Sequence, residues 1–198
     1  MNHAVNDEAL DLIFRNARTL RKFRPDPVTP QILMAVYDLM RLGPTAGNCC
    51  PARIHFVVST DAKERLRPHL DKGNVAQTMN APATAIIAYD LEYFEMLPKL
   101  RPTRPGARDA AAELGPDTNE EIAFRSGTLE GGYFILAARA IGLDCGPMSG
   151  FDNDGVDREF FAGTSIKSNF LCNLGYGDEP DMRPRAPRLS FDEACKIL

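Results

Sequence analysis

Arg18, Thr19 and Arg21, close together in the segment RTLRKF, offer phosphate-binding chemistry. Guanidinium forks grip phosphate oxygens in pairs, and a hydroxyl adds a neutral donor. The same two arginines also suit a helix C-terminus, where the peptide dipole favours cations. Two runs of small residues, Pro44-Thr45-Ala46-Gly47-Asn48 and Gly146-Pro147-Met148-Ser149-Gly150, let a flat ring approach the backbone, although the first also reads as a helix-ending turn. Signatures of acid–base or nucleophilic machinery are missing: there is no Walker loop, no Gly-x-Gly-x-x-Gly after a strand, no His-Glu-x-x-His and no Gly-x-Ser-x-Gly. His3 falls in a tail, His55 in an expected strand and His69 near a helix end, so no Ser-His-Asp arrangement arises. The vicinal Cys49-Cys50 reads as two small, half-buried thiols, because adjacent cysteines bridge only with strain. Phosphate and ring-edge binders without an acid–base pair point to a bound cofactor that does the chemistry itself.

The elements that must position these residues follow from periodicity. Asn6 or Asp7 caps a helix carrying Leu10, Ile13, Phe14 and Ala17 at helical spacing, and Thr29-Pro30 starts a second that runs to Leu42 and stops at Gly43-Pro44. The apolar, β-branched runs 54–59 and 83–89 read as strands buried on both faces, with a short helix over 61–70 between them. Residues 90–118 lack periodicity and are interrupted by Pro98, Pro102, Pro105 and Pro116, the pattern of a lid or mobile flap. The longest helix spans 119–141 and is apolar around most of its circumference from Tyr133 to Ile141, which places it in the core or against a second subunit. Its Gly131-Gly132 pair implies close approach of another backbone, and Gly142 ends it. LDCGPMSGF reads as a strand running into a tight turn, 154–162 as a short helix, 169–175 as an apolar strand, and Ser190-x-x-Glu193 as a capping box.

A chain of 198 residues fits one domain, here 1–198, with no need for disulfides or a structural metal. Its hydrophobic (44%) and charged (25%) fractions exclude a disordered or fibrous chain, and a formal charge of −4 argues against a general nucleic-acid binder. The greasiest run, 133–143, contains Arg139 and is about half the length of a membrane span. The N-terminal residues are acidic where a signal peptide is basic, so the expectation is a cytoplasmic protein away from membranes. Five cysteines at irregular positions, without zinc spacing, read as reduced thiols and leave no metal site.

RTLRKF, a helix ending GPTAGNCCP, GN-x-x-Q before APATAIIAYD, then IGLDCGPMSGFD and LGYGD stand in this order over nearly the whole chain. The series resembles the nitroreductase-type FMN flavoproteins. NCCPAR, GPMSGFD, FFAGTSIKSNFL and PRLSFDEA are most similar to the malonic semialdehyde reductase branch of pyrimidine catabolism. The resemblance implies an α+β sandwich, with a central, mainly antiparallel sheet flanked by helices. It also implies an intertwined homodimer with FMN at each subunit interface and NADPH or NADH as co-substrate. By position, Arg18, Thr19 and Arg21 match the family's N-terminal FMN motif and Arg188 its C-terminal phosphate-binding residue. Asn74 matches the residue facing the flavin pyrimidine edge, and Gln77 stands where many relatives have Lys. Pro44, Thr45, Ala46 and Asn48 match the wall contributed by the partner subunit, and Met148, Ser149 and Gly150 the turn against the ring near N5.

Two departures matter. Gln77 removes a cation that would stabilise an anionic reduced flavin, leaving Arg21 as the substitute. Ala52-Arg53 follows Pro51 where many relatives carry an aromatic, which leaves room for an anion. The implied mechanism is ping-pong: a nicotinamide passes hydride to FMN and leaves, and a small acceptor takes it in the same space. No side chain need serve as acid or base, since the protein supplies orientation and a dry pocket. For malonic semialdehyde, reduced to 3-hydroxypropionate, the candidate carboxylate-binding cations are Arg53 and Arg108. A broad nitro or quinone reductase and a flavin-binding protein without turnover are the alternatives.

Overall fold

The computed structural model describes residues 4–178 and 184–198. Asn6 caps α1 (Asp7–Leu10), its side chain accepting from the Ala9 N–H at 3.0 Å, and the helix widens into a π turn over Asp11–Arg15. Thr29 caps α2 (Pro30–Met40), whose proline sits in the first turn, where its missing N–H costs nothing. Four strands, β1 (Ala52–Val57), β2 (Ala83–Asp90), β3 (Asp144–Met148) and β4 (Ile166–Gly175), form one antiparallel sheet in the order β1-β2-β4-β3.

Strand alternation sorts β2 onto two cores. Ala83, Ala85 and Ile87 pack with α2 and with α7 (Pro116–Ala140) through Leu33, Val36, Met40 and Phe134. Ile86 and Ala88 face the opposite layer, built around α3 (Thr60–Leu66), α4 (Lys72–Asn80) and α8 (Asn153–Phe160) through Leu66, Val75 and Val156. The result is the expected helix–sheet–helix sandwich. β2 is buried throughout to Tyr89, but β1 is not buried on both faces: it is the edge strand, and of its residues only Val57 is buried.

Residues 90–118 are not a structureless flap. A 3-10 turn (Tyr93–Met96), α5 (Leu97–Leu100) and α6 (Ala107–Ala112) fill the segment. Tyr93 and Leu97 are buried with Cys49 and Ala123, and the Tyr93 hydroxyl donates to Asn119 Oδ1 at 2.8 Å. Pro98 and Pro116 sit in the first turns of α5 and α7, so they start helices rather than break one.

α7 ends at Ala140, and Gly142 follows in the left-handed region at φ +84°. Within one protomer, no backbone makes the close approach expected at its glycine pair. A Cβ on Gly131 would lie 2.6 Å from the Phe170 ring, so a side chain makes the close approach, while a Cβ on Gly132 would meet nothing within 4 Å. On that open side, Leu129 (46%) and Tyr133 (37%) are exposed. All-round burial of this helix is therefore not achieved within one protomer, because the sheet and α2 cover only one side. The expected capping box is present at α9 (Phe191–Ala194), with the Ser190 and Glu193 side chains bonding each other's backbone. All five cysteines are free.

Candidate functional site

The segment after the π turn is pinned along β3. Thr19 bridges Cys145, the Leu20 N–H donates to Cys145 O at 3.0 Å, and the Phe23 N–H donates to Asn80 Oδ1 at 2.9 Å. Gly146 permits this approach, since a Cβ there would stand 2.6 Å from Leu20 O. Arg18 is held half-buried by donating to Arg15 O and Ala17 O, both at 2.9 Å. From the C-terminal segment, Arg185 donates to Phe14 O, Arg15 O and Ala17 O at 2.6, 3.0 and 2.8 Å. Arg188 donates to Ala186 O and Pro187 O. Arg139 on α7 reaches Ile13 O at 3.3 Å, while its Nε is buried without a partner among the described residues.

Among the described residues, no carboxylate pairs with any of these four guanidinium groups. Burial, together with the charges of Arg18, Arg188 and Arg139, pulls the Arg185 pKa below the usual arginine value. Cations gathered without acids make an anion site. Arg185 and Arg139 were missed by sequence reasoning; the spacing of arginines in PRAPR was the only available signal for Arg185.

A second cluster joins α4 to the turn after β3. The Asn74 side chain donates to Gly150 O at 2.8 Å, and the Gln77 amide donates to Asn74 Oδ1 at 2.6 Å. Gln77 Nε2 and Thr78 Oγ1 each lie 3.7 Å from Met148 Sδ. Asn74, Gln77, Met148 and Gly150 are thereby brought together from distant parts of the chain. Gly150 has no room for a side chain, because a Cβ would sit 2.6 Å from Asn74 Nδ2 and 2.7 Å from Asp71 Oδ2. Ser149 is exposed beside them. Arg21, also exposed, lines an open cleft of about 530 Å³ with Gln77, Gly73 and Asn80. Lys63 supports this layer from below: its buried ammonium donates to Met79 O and Ala81 O at the end of α4, and burial lowers its pKa. Nothing in its sequence neighbourhood marked it.

The third group is the 44–53 loop. Pro44 is exposed, Thr45 Oγ1 accepts from the Cys50 N–H at 3.1 Å, the Ala46 N–H reaches Ser126 Oγ at 3.4 Å, and Asn48 Nδ2 donates to Leu100 O at 3.0 Å. Asn48 (φ +55°) and Cys50 (φ +42°) are the only non-glycine residues with positive φ among those described, and Gly47 between β1 and α2 shares that conformation at +56°. Such backbone strain persists only where the surroundings over-determine it, and it clusters at ligand sites. One determinant is Glu130 on α7, nearly fully buried, whose Oε2 accepts from the Ala52 N–H at 2.9 Å. Burial raises its pKa, opposed by that bond and by the charge of Arg53. Burial likewise raises the Cys49 and Cys50 thiols, which keeps them protonated.

The two cations expected at an acceptor's carboxylate already have acid partners. Arg53 pairs with Asp90 at 2.8 Å, and Arg108 with Glu95 at 2.5 Å and Asp109 at 3.0 Å. His55 stands 4.5 Å from the Phe161 ring, its pKa lowered by burial. Ala46 and Gly47 line a cleft with α6, and Arg21 and Gln77 line a different one beside α4. Among the described residues no His, Cys, Asp or Glu group could hold a metal, and no helix is long and apolar enough to cross a membrane.

Known proteins resemble this chain along its whole length. A Stenotrophomonas maltophilia (strain K279a) protein named as an NADH dehydrogenase/NAD(P)H nitroreductase is 55% identical over 199 residues, spanning 100% of both chains. A Leptothrix cholodnii protein of the same name is 48% identical over 198 residues, again across 100% of both. A nitroreductase-type protein from Exiguobacterium sibiricum, solved in complex with FMN, shares the fold at a TM-score of 0.85 and 17% identity, over 100% of this chain and 99% of that one. The Nitroreductase family model matches residues 14–176, and with that coverage and these relatives the chain belongs to the nitroreductase family.

Proposed function

We propose that this chain is an FMN-dependent NAD(P)H oxidoreductase, one domain over 1–198, that works as a cytoplasmic homodimer and reduces malonic semialdehyde to 3-hydroxypropionate. The observation that carries the cofactor assignment is the gathering of Arg18, Arg139, Arg185 and Arg188 without a carboxylate, the environment a phosphate dianion requires. The amide edge of Asn74 and Gln77 supplies complementary donors and acceptors for a flavin pyrimidine edge, and Gly150 keeps Asn74 in place. FMN, when bound, accepts hydride from a nicotinamide and delivers it to an acceptor.

The remaining work falls to the chain. The arginines would hold the phosphate, and Arg21, which lines the cleft with the neutral Gln77, would offer a cation to the ring edge. Met148, Ser149 and Gly150 would form the turn against the ring, with the Met148 sulfur turned toward Gln77 and Thr78. Two observations support a dimer: the open side of α7 at Leu129, Gly132 and Tyr133, and exposed apolar residues in the tail, Leu189 (70%) and Phe191 (61%). The different clefts lined by Ala46 with Gly47 and by Arg21 with Gln77 fit a site whose wall comes from the other protomer.

The acceptor rests on the likeness of NCCPAR, GPMSGFD and PRLSFDEA to the semialdehyde reductase branch. The names of the two relatives favour a second reading, a nitro or quinone acceptor. Steady-state oxidation of NADPH and NADH with malonic semialdehyde, a quinone, a nitroaromatic or no acceptor separates them. We expect the highest kcat/KM with the semialdehyde. A higher value with the nitro compound or quinone favours the second reading, and no acceptor-dependent oxidation leaves flavin binding without turnover.

A further inference from the structure

The cleft between the 46–49 turn and α6 has a volume of about 510 Å³ and walls made largely of apolar groups, among them Cys49, Tyr93, Leu97, Ala111 and Ile122. This is within the ordinary size of small-molecule sites. Its lining includes two cations, Arg101 and Arg104, and no acid. Neither guanidinium makes a hydrogen bond or ion pair among the described residues, in contrast to Arg53 and Arg108, whose charges are satisfied by Asp90, Glu95 and Asp109. Arg101 Nη1 lies 3.0 Å from where a Cβ on Gly47 would stand, so its guanidinium lies over the strained turn itself. The turn is tied to the same segment by the bond from Asn48 to Leu100 O.

Free guanidinium groups beside an apolar, acid-free cleft are suited to a carboxylate carried on a short apolar chain. We propose that Arg101, assisted by Arg104, binds the carboxylate of the acceptor and makes this cleft the specificity site for small carboxylate-bearing acceptors. The inference rests on the proposed oxidoreductase reading, in which the 44–48 turn walls the flavin site, and it moves carboxylate recognition from Arg53 and Arg108 to Arg101. Gly47 then has a second reason to lack a side chain besides its φ of +56°: any Cβ would push the guanidinium away.

The test uses the purified full-length protein with the flavin it carries. Arg101→Met keeps the apolar stem and removes the charge, and Arg101→Lys keeps the charge but loses the fork. The first readout is the ratio of kcat/KM for malonic semialdehyde to kcat/KM for propanal, its uncharged counterpart. The second is calorimetric titration with 3-hydroxypropionate, which needs no turnover. In Arg101→Met the ratio should fall at least tenfold and 3-hydroxypropionate affinity should fall to a similar extent, with a smaller loss in Arg101→Lys. An unchanged ratio and unchanged affinity in both variants, or a wild type that neither binds 3-hydroxypropionate nor prefers the charged aldehyde, overturns the proposal. If Arg101→Met does not fold, Arg101→Lys and Arg104→Met carry the same comparison. A wild type that binds 3-hydroxypropionate through Arg101 yet oxidises no NAD(P)H would refute the oxidoreductase reading while leaving the carboxylate site standing.

Discussion

Replacing Gly132 by glutamate separates the folding of a protomer from its pairing. A Cβ at this position meets nothing within 4 Å, whereas one at Gly131 would lie 2.6 and 2.7 Å from Phe170 ring atoms and 3.3 Å from Ile87 Cγ2. Gly131→Ala therefore sets a helix-propensity gain of about 1 kcal/mol against overpacking of roughly 1–3 kcal/mol, a net loss of stability. Gly132→Glu carries a similar propensity gain and, in a lone protomer, no clash at its Cβ. At a dimer interface formed by Leu129, Gly132 and Tyr133, the new carboxylate would instead lose its water without gaining a partner. That penalty is several kcal/mol per ion, and a two-fold interface incurs it on both sides. A loss of only about 2.7 kcal/mol already weakens the dimer on the order of a hundredfold. Sedimentation equilibrium from nanomolar to micromolar concentration, with far-UV circular dichroism as the fold control, is the assay. We expect retained helicity and a dimer Kd raised at least a hundredfold. A variant that is fully helical and as tightly dimeric as the wild type would show that this side of α7 faces solvent.

The remaining predictions concern the cofactor cradle and the loop beneath it. Arg18→Ala, Arg185→Ala and Arg188→Ala should each lower FMN affinity by about one to two decades, the equivalent of a charge-assisted contact of ~1.5–3 kcal/mol, as read by fluorescence titration of apoprotein. Unchanged affinity in all three would remove the phosphate assignment. Gly150→Ala should displace the Asn74 amide from Gly150 O and weaken FMN binding with little effect on the spectrum of the unbound protein, and wild-type affinity would refute a fixed amide edge. Glu130 has a pKa raised above 4.5, so the native state keeps its proton longer than the unfolded chain does. Its stabilisation is present at and below the ordinary carboxylate range and is lost as pH rises through the native value. Glu130→Gln keeps an acceptor for the Ala52 N–H and removes that loss. The Tm of the variant relative to wild type should therefore climb from pH 4.5 to 7, and a constant difference would contradict the assignment.

The sandwich was legible because its core obeys short-range periodicity. The continuous apolar run 83–89, the helical stretches of α2 and α7, and the caps at Asn6, Thr29 and Ser190 each report a local preference that the fold keeps. The 90–118 segment was misread because proline carries opposite meanings at the first turn and in the interior of a helix, and only the neighbours of Pro98 and Pro116 decide between them. The site was legible only in part. Asn74, Gln77, Met148 and Gly150 came from the ordered motifs of a family resemblance, since no local rule joins α4 to a turn more than seventy residues away. The roles proposed for Arg185, Arg139 and Arg101 depend on what packs beside them, and an arginine's partner, or its lack of one, is a tertiary fact. Arg53 and Arg108 show the reverse case, cations attractive in sequence whose charge the fold has already satisfied.

The central claim is that this chain holds FMN between its arginine cluster and its amide edge. The most direct measurement is the visible spectrum of the purified protein, followed by denaturation and quantification of the released flavin. The account predicts a flavin absorption band, about one FMN per chain, and loss of the band when NADPH or NADH is added without oxygen. A well-folded protein that arrives colourless and takes up no FMN from excess in solution would contradict it.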